Sequence, residues 1–343
     1  LALQQSLRVM EAILLFIVIY IGPFEKKSLI KWLLAGAIIP GLLGIWQFVM
    51  QSSPDFKWLG LVGHAGWENG ASIVSGGSLG RVLRAYGTFT HPNVFGGYLA
   101  IIIVVWLCGY LIDRFQISNF KFQNATWRFV VYSLLLIPLF LTFSRSALLA
   151  VFIFLPLYFF LLRIPVLEKM KRFFIFVSPI IILILILIPV LAVRVSDASS
   201  YEVRSLDERM TGLSDAKNII LQNHNLWLGV GAGNYVVALY QTNPNLAGWQ
   251  YQPVHNVLIL FFAEEGLVGV LLLLFVMVSF FMYHISCIMY QTRRYIFCYM
   301  IYVLCFMILA SFDHYLYSSF IGLILSAVYW GLLLKFDVEL AKN

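Results

Sequence analysis

The feature that most constrains this chain is the recurrence of apolar runs as long as a bilayer is thick. A helix needs about 20 such residues to cross roughly 30 Å of hydrocarbon. Runs of this kind recur near residues 8–24, 29–50, 93–112, 128–143, 146–162, 173–193, 256–285, 296–312 and 315–334. The expected fold is an all-α, polytopic transmembrane helix bundle with about nine spans, one multi-pass membrane domain over residues 1–343. Composition agrees: 61% of the 343 residues are hydrophobic and 11% are charged, far from the balance of a soluble domain.

Several function classes drop out. The net charge of +7 comes from basic residues scattered through short linkers, not gathered on a polar face, so no nucleic-acid partner is expected. Cys108, Cys287, Cys298 and Cys305 form no CxxC pair and sit in or beside apolar runs, so neither a disulfide framework nor a zinc ribbon is expected. The start at Leu1 shows no basic segment leading to a small-residue cleavage site. A signal peptide is therefore not expected, whereas further helices preceding residue 1 are.

Two long polar insertions, Gln51 to Pro92 and Val195 to Val254, interrupt the runs; loops of that length are usually functional. The run from Trp127 to Leu162, "WRFVVYSLLLIPLFLTFSRSALLAVFIFLPLYFFLL", would make a single helix of about 54 Å. A hairpin turning at Ser144-Arg145-Ser146 gives two short spans instead and leaves Arg145 at a surface. The positive-inside rule then sets the orientation. With Glu25 to Lys27 cytoplasmic, that side collects Lys26, Lys27, Lys31, Arg114, Lys121, Arg128, Arg163, Lys169, Lys171, Arg172, Arg293, Arg294, Lys335 and Lys342. Arg84, Arg145, Arg209 and His255 all fall on the opposite, extracytoplasmic side.

Arginine stays charged and presents a planar fork that matches phosphate oxygens, and histidine takes up a proton near neutral pH. Together they suit a phosphate-bearing substrate that loses its phosphate while a hydroxyl attacks. No HExxH, D-x-D or dense carboxylate set accompanies them, so neither a metal nor a cofactor is expected. Arginines can neutralise the leaving group in a metal's place.

These residues stand in motifs that resemble the O-antigen ligase and O-antigen polymerase superfamily of bacterial membrane glycosyltransferases. His255 and Asn256 are followed by nine residues and then Gly266-x-x-Gly269-x-x-Leu272. An R-x-x-x-L pattern is met by Arg209 to Leu213. "RAYGTFTHPNVFGGYLA" from Arg84, "LTFSRSALLA" around Arg145 and "WLGVGAGNY" from Trp227 complete an ordered set over roughly residues 84–274. The resemblance implies a GT-C-like, metal-independent, inverting transferase in the bacterial plasma membrane, with its active face extracytoplasmic. Its donor would be a glycan on undecaprenyl diphosphate and its acceptor a glycan, lipid or protein hydroxyl. Carried over residue by residue, Arg145 and Arg209 would bind the diphosphate and His255 would orient or deprotonate the acceptor. Asn256 would cap the helix start. Arg84 and Arg204 are further candidates for binding substrate, Arg204 as the substitute for Arg209.

Each residue also has a plainer reading. His255 can sit at a membrane interface, Arg145 can be a snorkelling turn residue, Arg204 and Arg209 can be solvated loop charges, and Arg84 can merely close a loop. His91 reads as part of a helix start. The "GVGAG" glycines read as a tight turn, since no Lys-Ser or Lys-Thr follows them. Asp313 and His314 read as hydrated linker. In a continuous helix Gly266 and Gly269 would fall within about 40° of the face carrying His255, with Glu264 opposite. The preferred geometry is a break near Gly266, with "HNVLILFFAEE" along the surface and both glutamates wet. Polymerase and ligase use the same residue types and stay undivided at this level. A transporter of small anions or lipid-linked sugars is the alternative, although the repeat-related broken helices it would need are not evident.

Overall fold

A computed structural model describes residues 1–68, 70–75, 80–113, 125–162, 165–196, 201–222, 224–288 and 293–340. The basic residues Arg114, Lys121, Arg163 and Lys342, used above for orientation, lie outside them. Among the described residues the chain is mostly helical, with four short strands. Five helices are long and apolar enough to cross a membrane: Ala2–Ile21, Lys26–Met50, and segments Pro92–Gly109, Val166–Ile188 and Val257–Ser279 of longer ones. Four other expected spans are represented by shorter apolar helices, Phe129–Leu141, Arg145–Leu161, Ile296–Phe312 and Phe320–Lys335. The chain divides into two compact units, one of Glu25–Val203 with Met300–Phe306, the other of Leu1–Phe24, Arg204–Tyr299 and Met307–Asn343.

Helices in chain order are α1 (Ala2–Ile21), α2 (Lys26–Met50), α3 (Pro92–Asp113), α4 (Ala125–Leu141), α5 (Arg145–Leu161), α6 (Val166–Ser196), α7 (Tyr201–Leu221), α8 (Asn225–Leu228), α9 (Tyr235–Thr242), α10 (Val257–Ile288), α11 (Arg293–Phe312), α12 (Tyr315–Ser318) and α13 (Phe320–Leu340). In the unit of Glu25–Val203, α3 is the central element. Its side chains are apolar on every face, and Leu99 to Cys108 are nearly all buried, as befits a helix surrounded by others; α2, α4 and α5 pack against it. Small residues set the approach: a methyl on Gly44 would meet the Phe95 ring at 2.7 Å, and one on Gly96 would meet Ser144 Cβ at 2.7 Å.

The first long insertion is ordered by two antiparallel pairs, β1 (Ser52–Ser53) with β2 (His64–Ala65) and β3 (Ile73–Ser75) with β4 (Arg81–Leu83). This adds strands to the all-α expectation; paired strands of two and three residues leave no alternation to detect. Gln47, fully buried at the end of α2, fastens the insertion to the bundle. Its Nε2 donates to Ser53 Oγ (3.0 Å) and to the Gly87 carbonyl (2.9 Å), and its Oε1 accepts from the Tyr86 and Gly87 amides (3.0 and 2.8 Å). A buried amide satisfied on both ends carries no desolvation penalty of the unpaired kind.

In the other unit α1 lies along α13. Lys335 is 5% exposed and donates to the carbonyls of Ile19 (3.0 Å) and Gly22 (2.7 Å), so a cation occupies the negative C-terminal end of α1. The second long insertion is largely helical. α7 and α9 pack with the first part of α10 around Ala216, Ile219, Tyr235, Leu239, Leu260 and Ala263. The last expected span is broken: Ser319 is extended (φ −103°, ψ 146°) between α12 and α13. Ser319 also donates its hydroxyl to the Tyr315 carbonyl and accepts from the Gly322 amide. Its side chain thus offers the backbone an alternative to the helix ladder.

Candidate active site

The hairpin expected at Ser144-Arg145-Ser146 is present, with Arg145 as the first residue of α5 and Ser144 as its N-cap. The turn is held from several directions. Thr142 Oγ1 donates to the Leu139 carbonyl (2.6 Å) and accepts from the Ser144 amide (3.2 Å), and the Ala85 amide donates to the Leu141 carbonyl (2.9 Å). Phe143, buried, takes a left-handed conformation with φ 49°, which costs a non-glycine residue about 1–2 kcal/mol. Arg145 is exposed at a helix N-terminus, the end where the macrodipole disfavours a cation. The start of α5 thus combines a cationic side chain with the helix end that attracts anions.

Arg84 belongs to the same unit and serves that turn. Its Nε donates to the Thr142 carbonyl (2.6 Å), and its terminal nitrogens donate to Asn93 Oδ1 (2.5 Å) and Ser72 Oγ (3.4 Å). Three acceptors on three segments make it the clasp between the first insertion, the start of α3 and the α4–α5 turn. His91, just before α3, accepts from the Asn93 amide at Nδ1 (3.1 Å) and contacts Ser72 Oγ through Nε2 (3.2 Å).

The other unit carries His255, Asn256, Arg204 and Arg209. Asn256 is the residue before α10 and accepts from the Ile259 amide (3.0 Å), the N-cap bond to the third helical residue. Its Nδ2 donates to the Ser311 carbonyl (3.1 Å), which ties the start of α10 to the end of α11. That tie brings His255 to Asp313 and His314. His255 Nδ1 lies 3.6 Å from Asp313 Oδ1, too long for a hydrogen bond but within ion-pair range once the imidazole is protonated. The His255 side chain is 26% exposed and that of Asp313 7%, while Nδ1 itself is buried with no hydrogen-bond partner. The His255 and His314 rings are 5.2 Å apart, and His314 Nδ1 is 2.6 Å from Ser318 Oγ. Burial pushes the His314 pKa down to about 4, with Asp313 opposing and His255 adding to the shift, so this ring is neutral at physiological pH.

Asp313 and His314 are therefore not the hydrated linker that the sequence implied. One is a nearly buried carboxylate and the other a pinned imidazole, and both face the candidate histidine. Their only sequence signal was a carboxylate next to a histidine between two apolar runs, too short a pattern to separate from an ordinary turn. The ligand-type atoms of His255, Asp313 and His314 lie within 4.8 Å of one another, so among the described residues these three could hold a metal.

Arg209 is half-buried on α7. Seven positions separate it from Ala216, fully buried in the core, so both fall within about 20° of one helix face. Position 204 lies about 140° round the helix from Arg209. α7 is fixed on α9 by Tyr235 Oη donating to the Gly212 carbonyl (3.4 Å) and Asn243 Nδ2 donating to Asp215 Oδ1 (3.2 Å).

The expected break in α10 is at Gly266, with φ 64° and ψ −172°, a conformation open essentially to glycine alone. A break strands the last carbonyls of the arm before it. The glycine-rich turn supplies their partners: the Val230 amide donates to Ala263 O (3.0 Å) and the Gly231 amide to Glu264 O (2.8 Å). The "GVGAG" segment is thus a helix-end cap. The expectation that both glutamates stay wet is corrected, because Glu264 is 4% exposed. Its carboxylate accepts from the Gly233 (2.8 Å) and Tyr235 (3.3 Å) amides at the positive N-terminal end of α9. Glu265 is half-buried and accepts from Tyr317 Oη (3.3 Å).

Residues 129–274 match a family model described as O-antigen ligase. The match takes in Arg145, Arg204, Arg209, His255, Asn256 and Gly266, and ends before Asp313 and His314. No curated protein and no solved structure matches the chain.

Proposed function

We propose, from the premise that this chain carries a domain of the O-antigen ligase and polymerase superfamily, that it transfers a glycan from undecaprenyl diphosphate to a hydroxyl acceptor, with inversion and without a metal. The transfer takes place at the outer face of a bacterial plasma membrane, in cell-surface polysaccharide assembly. The observation that carries the reading is the setting of His255: partly exposed, fixed at the capped start of α10 and backed by the Asp313 carboxylate. His255 takes the proton of the acceptor hydroxyl as the oxygen attacks the anomeric carbon. Asp313 stabilises the imidazolium formed, as a carboxylate behind a catalytic histidine does.

As the glycosidic C–O bond breaks, charge develops on the leaving diphosphate. Arg145, at the N-terminus of α5, and Arg209, on α7, are assigned to that charge. Arg84 is a positioning residue that holds the turn presenting Arg145. Arg204 remains the substitute for Arg209. Asn256 orients His255 through its two backbone contacts.

The test uses purified protein, a synthetic undecaprenyl-diphosphate oligosaccharide and candidate acceptors. Undecaprenyl diphosphate is released only with acceptor present, and the new linkage has the opposite anomeric configuration to the donor. A ladder of repeat units identifies a polymerase; a single addition identifies a ligase. Donor consumption without any new glycosidic bond, or passage of intact donor across a proteoliposome membrane, would replace this reading with transport.

A further inference from the structure

His255, Asp313 and His314 offer more than a base and its support. Their ligand-type atoms all lie within 4.8 Å of one another. We propose that these three side chains form a binding site for a divalent transition-metal ion of the zinc class, and that its occupancy stops transfer. The blocking half of this proposal rests on the reading of His255 as the acceptor base.

Bonds of about 2.0–2.2 Å from zinc to nitrogen and carboxylate oxygen place neighbouring ligand atoms in a tetrahedron about 3.3–3.6 Å apart. His255 Nδ1 and Asp313 Oδ1 already stand at 3.6 Å. His255 Nδ1 is buried without a hydrogen-bond partner, so a metal at that nitrogen displaces no existing bond. His314 Nδ1 is engaged by Ser318 Oγ at 2.6 Å, which leaves Nε2 for a ligand and supplies the outer-sphere contact that ligating histidines commonly have. The framework is fixed by the Asn256–Ser311 bond and by Ser318 Oγ donating to the His314 carbonyl (3.1 Å). Two imidazoles and one carboxylate favour Zn2+, Co2+ or Ni2+ over Mg2+ or Ca2+. A metal on Nδ1 of the neutral His255 ring leaves the ring's one proton on Nε2, the nitrogen that would otherwise take the acceptor proton, so the ion acts as an inhibitor of a reaction that needs none.

Untagged, metal-free protein in detergent is titrated with Zn2+ by calorimetry. The expected result is one site per chain, weakened at least about tenfold in His314→Ala and in Asp313→Asn. No binding to the wild type, or wild-type affinity in both variants, overturns the proposal. Co2+ added to the wild-type chain gives a second readout that needs no variant to fold: a visible ligand-field band that Zn2+ abolishes is expected, and its absence overturns the site. In the transfer assay saturating Zn2+, but not Mg2+, lowers wild-type turnover at least tenfold, and a chelator restores it. Undiminished transfer with zinc bound overturns the blocking role. Binding is read independently of transfer, so failure of the glycosyltransferase reading leaves the calorimetric result standing.

Discussion

Replacing Gly266 by alanine tests the joint on which the arm carrying His255 depends. At φ 64° and ψ −172° a Cβ costs about 1–3 kcal/mol in backbone strain alone. The added methyl would also stand 2.4 Å from the Trp227 carbonyl oxygen and 2.5 Å from the Gly229 nitrogen. Both are backbone atoms, so the glycine-rich turn must move off α10. That movement breaks the Val230–Ala263 and Gly231–Glu264 bonds, worth about 0.5–1.5 kcal/mol each, and more where the groups stay buried. The expected loss is roughly 2–6 kcal/mol. Gly212 is the control: it lies inside α7, and a methyl added there would have nothing within 4 Å, so alanine should stabilise by about 0.5–1 kcal/mol. Thermal unfolding of both variants in one detergent, followed by tryptophan fluorescence, should place Gly266→Ala far below wild type and Gly212→Ala at or above it. Equal transition temperatures for the two variants would refute the account of the break.

Arg84→Ala should lower stability and transfer together, since it removes bonds to Thr142, Asn93 and Ser72. Arg145→Ala should lower transfer about 10²-fold or more, measured as the single-turnover rate against wild type. Gln47→Leu should destabilise by several kcal/mol, as it leaves the Tyr86 and Gly87 amides buried without partners, at about 1–3 kcal/mol each; denaturant unfolding measures it. Glu264→Ala should free the N-terminus of α9 and raise protease cleavage near Gly233, whereas Glu264→Gln, which keeps an acceptor, should do so much less.

The apolar helices were the most legible part of the sequence, because runs about 20 residues long mark them regardless of tertiary context, whereas α7, α8 and α9 lie in the insertion expected as a loop. The hairpin at Arg145 followed from length, and the break at Gly266 from the need to place two carboxylates. Glu264 shows where such reasoning stops. Hydration was the default expectation for its charge, yet the chain buries it against the amides of Gly233 and Tyr235 at the start of α9, 31 and 29 residues away. Asp313 and His314 were misread for the same reason: their role depends on the Asn256–Ser311 bond, which joins residues 55 positions apart. The break at Ser319 was hidden by apolar residues on both sides, since its cause is a local side-chain bond rather than a change in polarity.

The central claim is that His255 moves the acceptor proton. The most direct measurement is the single-turnover rate of glycan transfer by wild type and His255→Ala, both in chelator, with donor binding and unfolding temperature recorded alongside. The account predicts metal-free transfer by the wild type and a loss of about 10²–10⁴-fold in the variant, with donor binding and stability retained. Transfer by His255→Ala within a few-fold of wild type would contradict it.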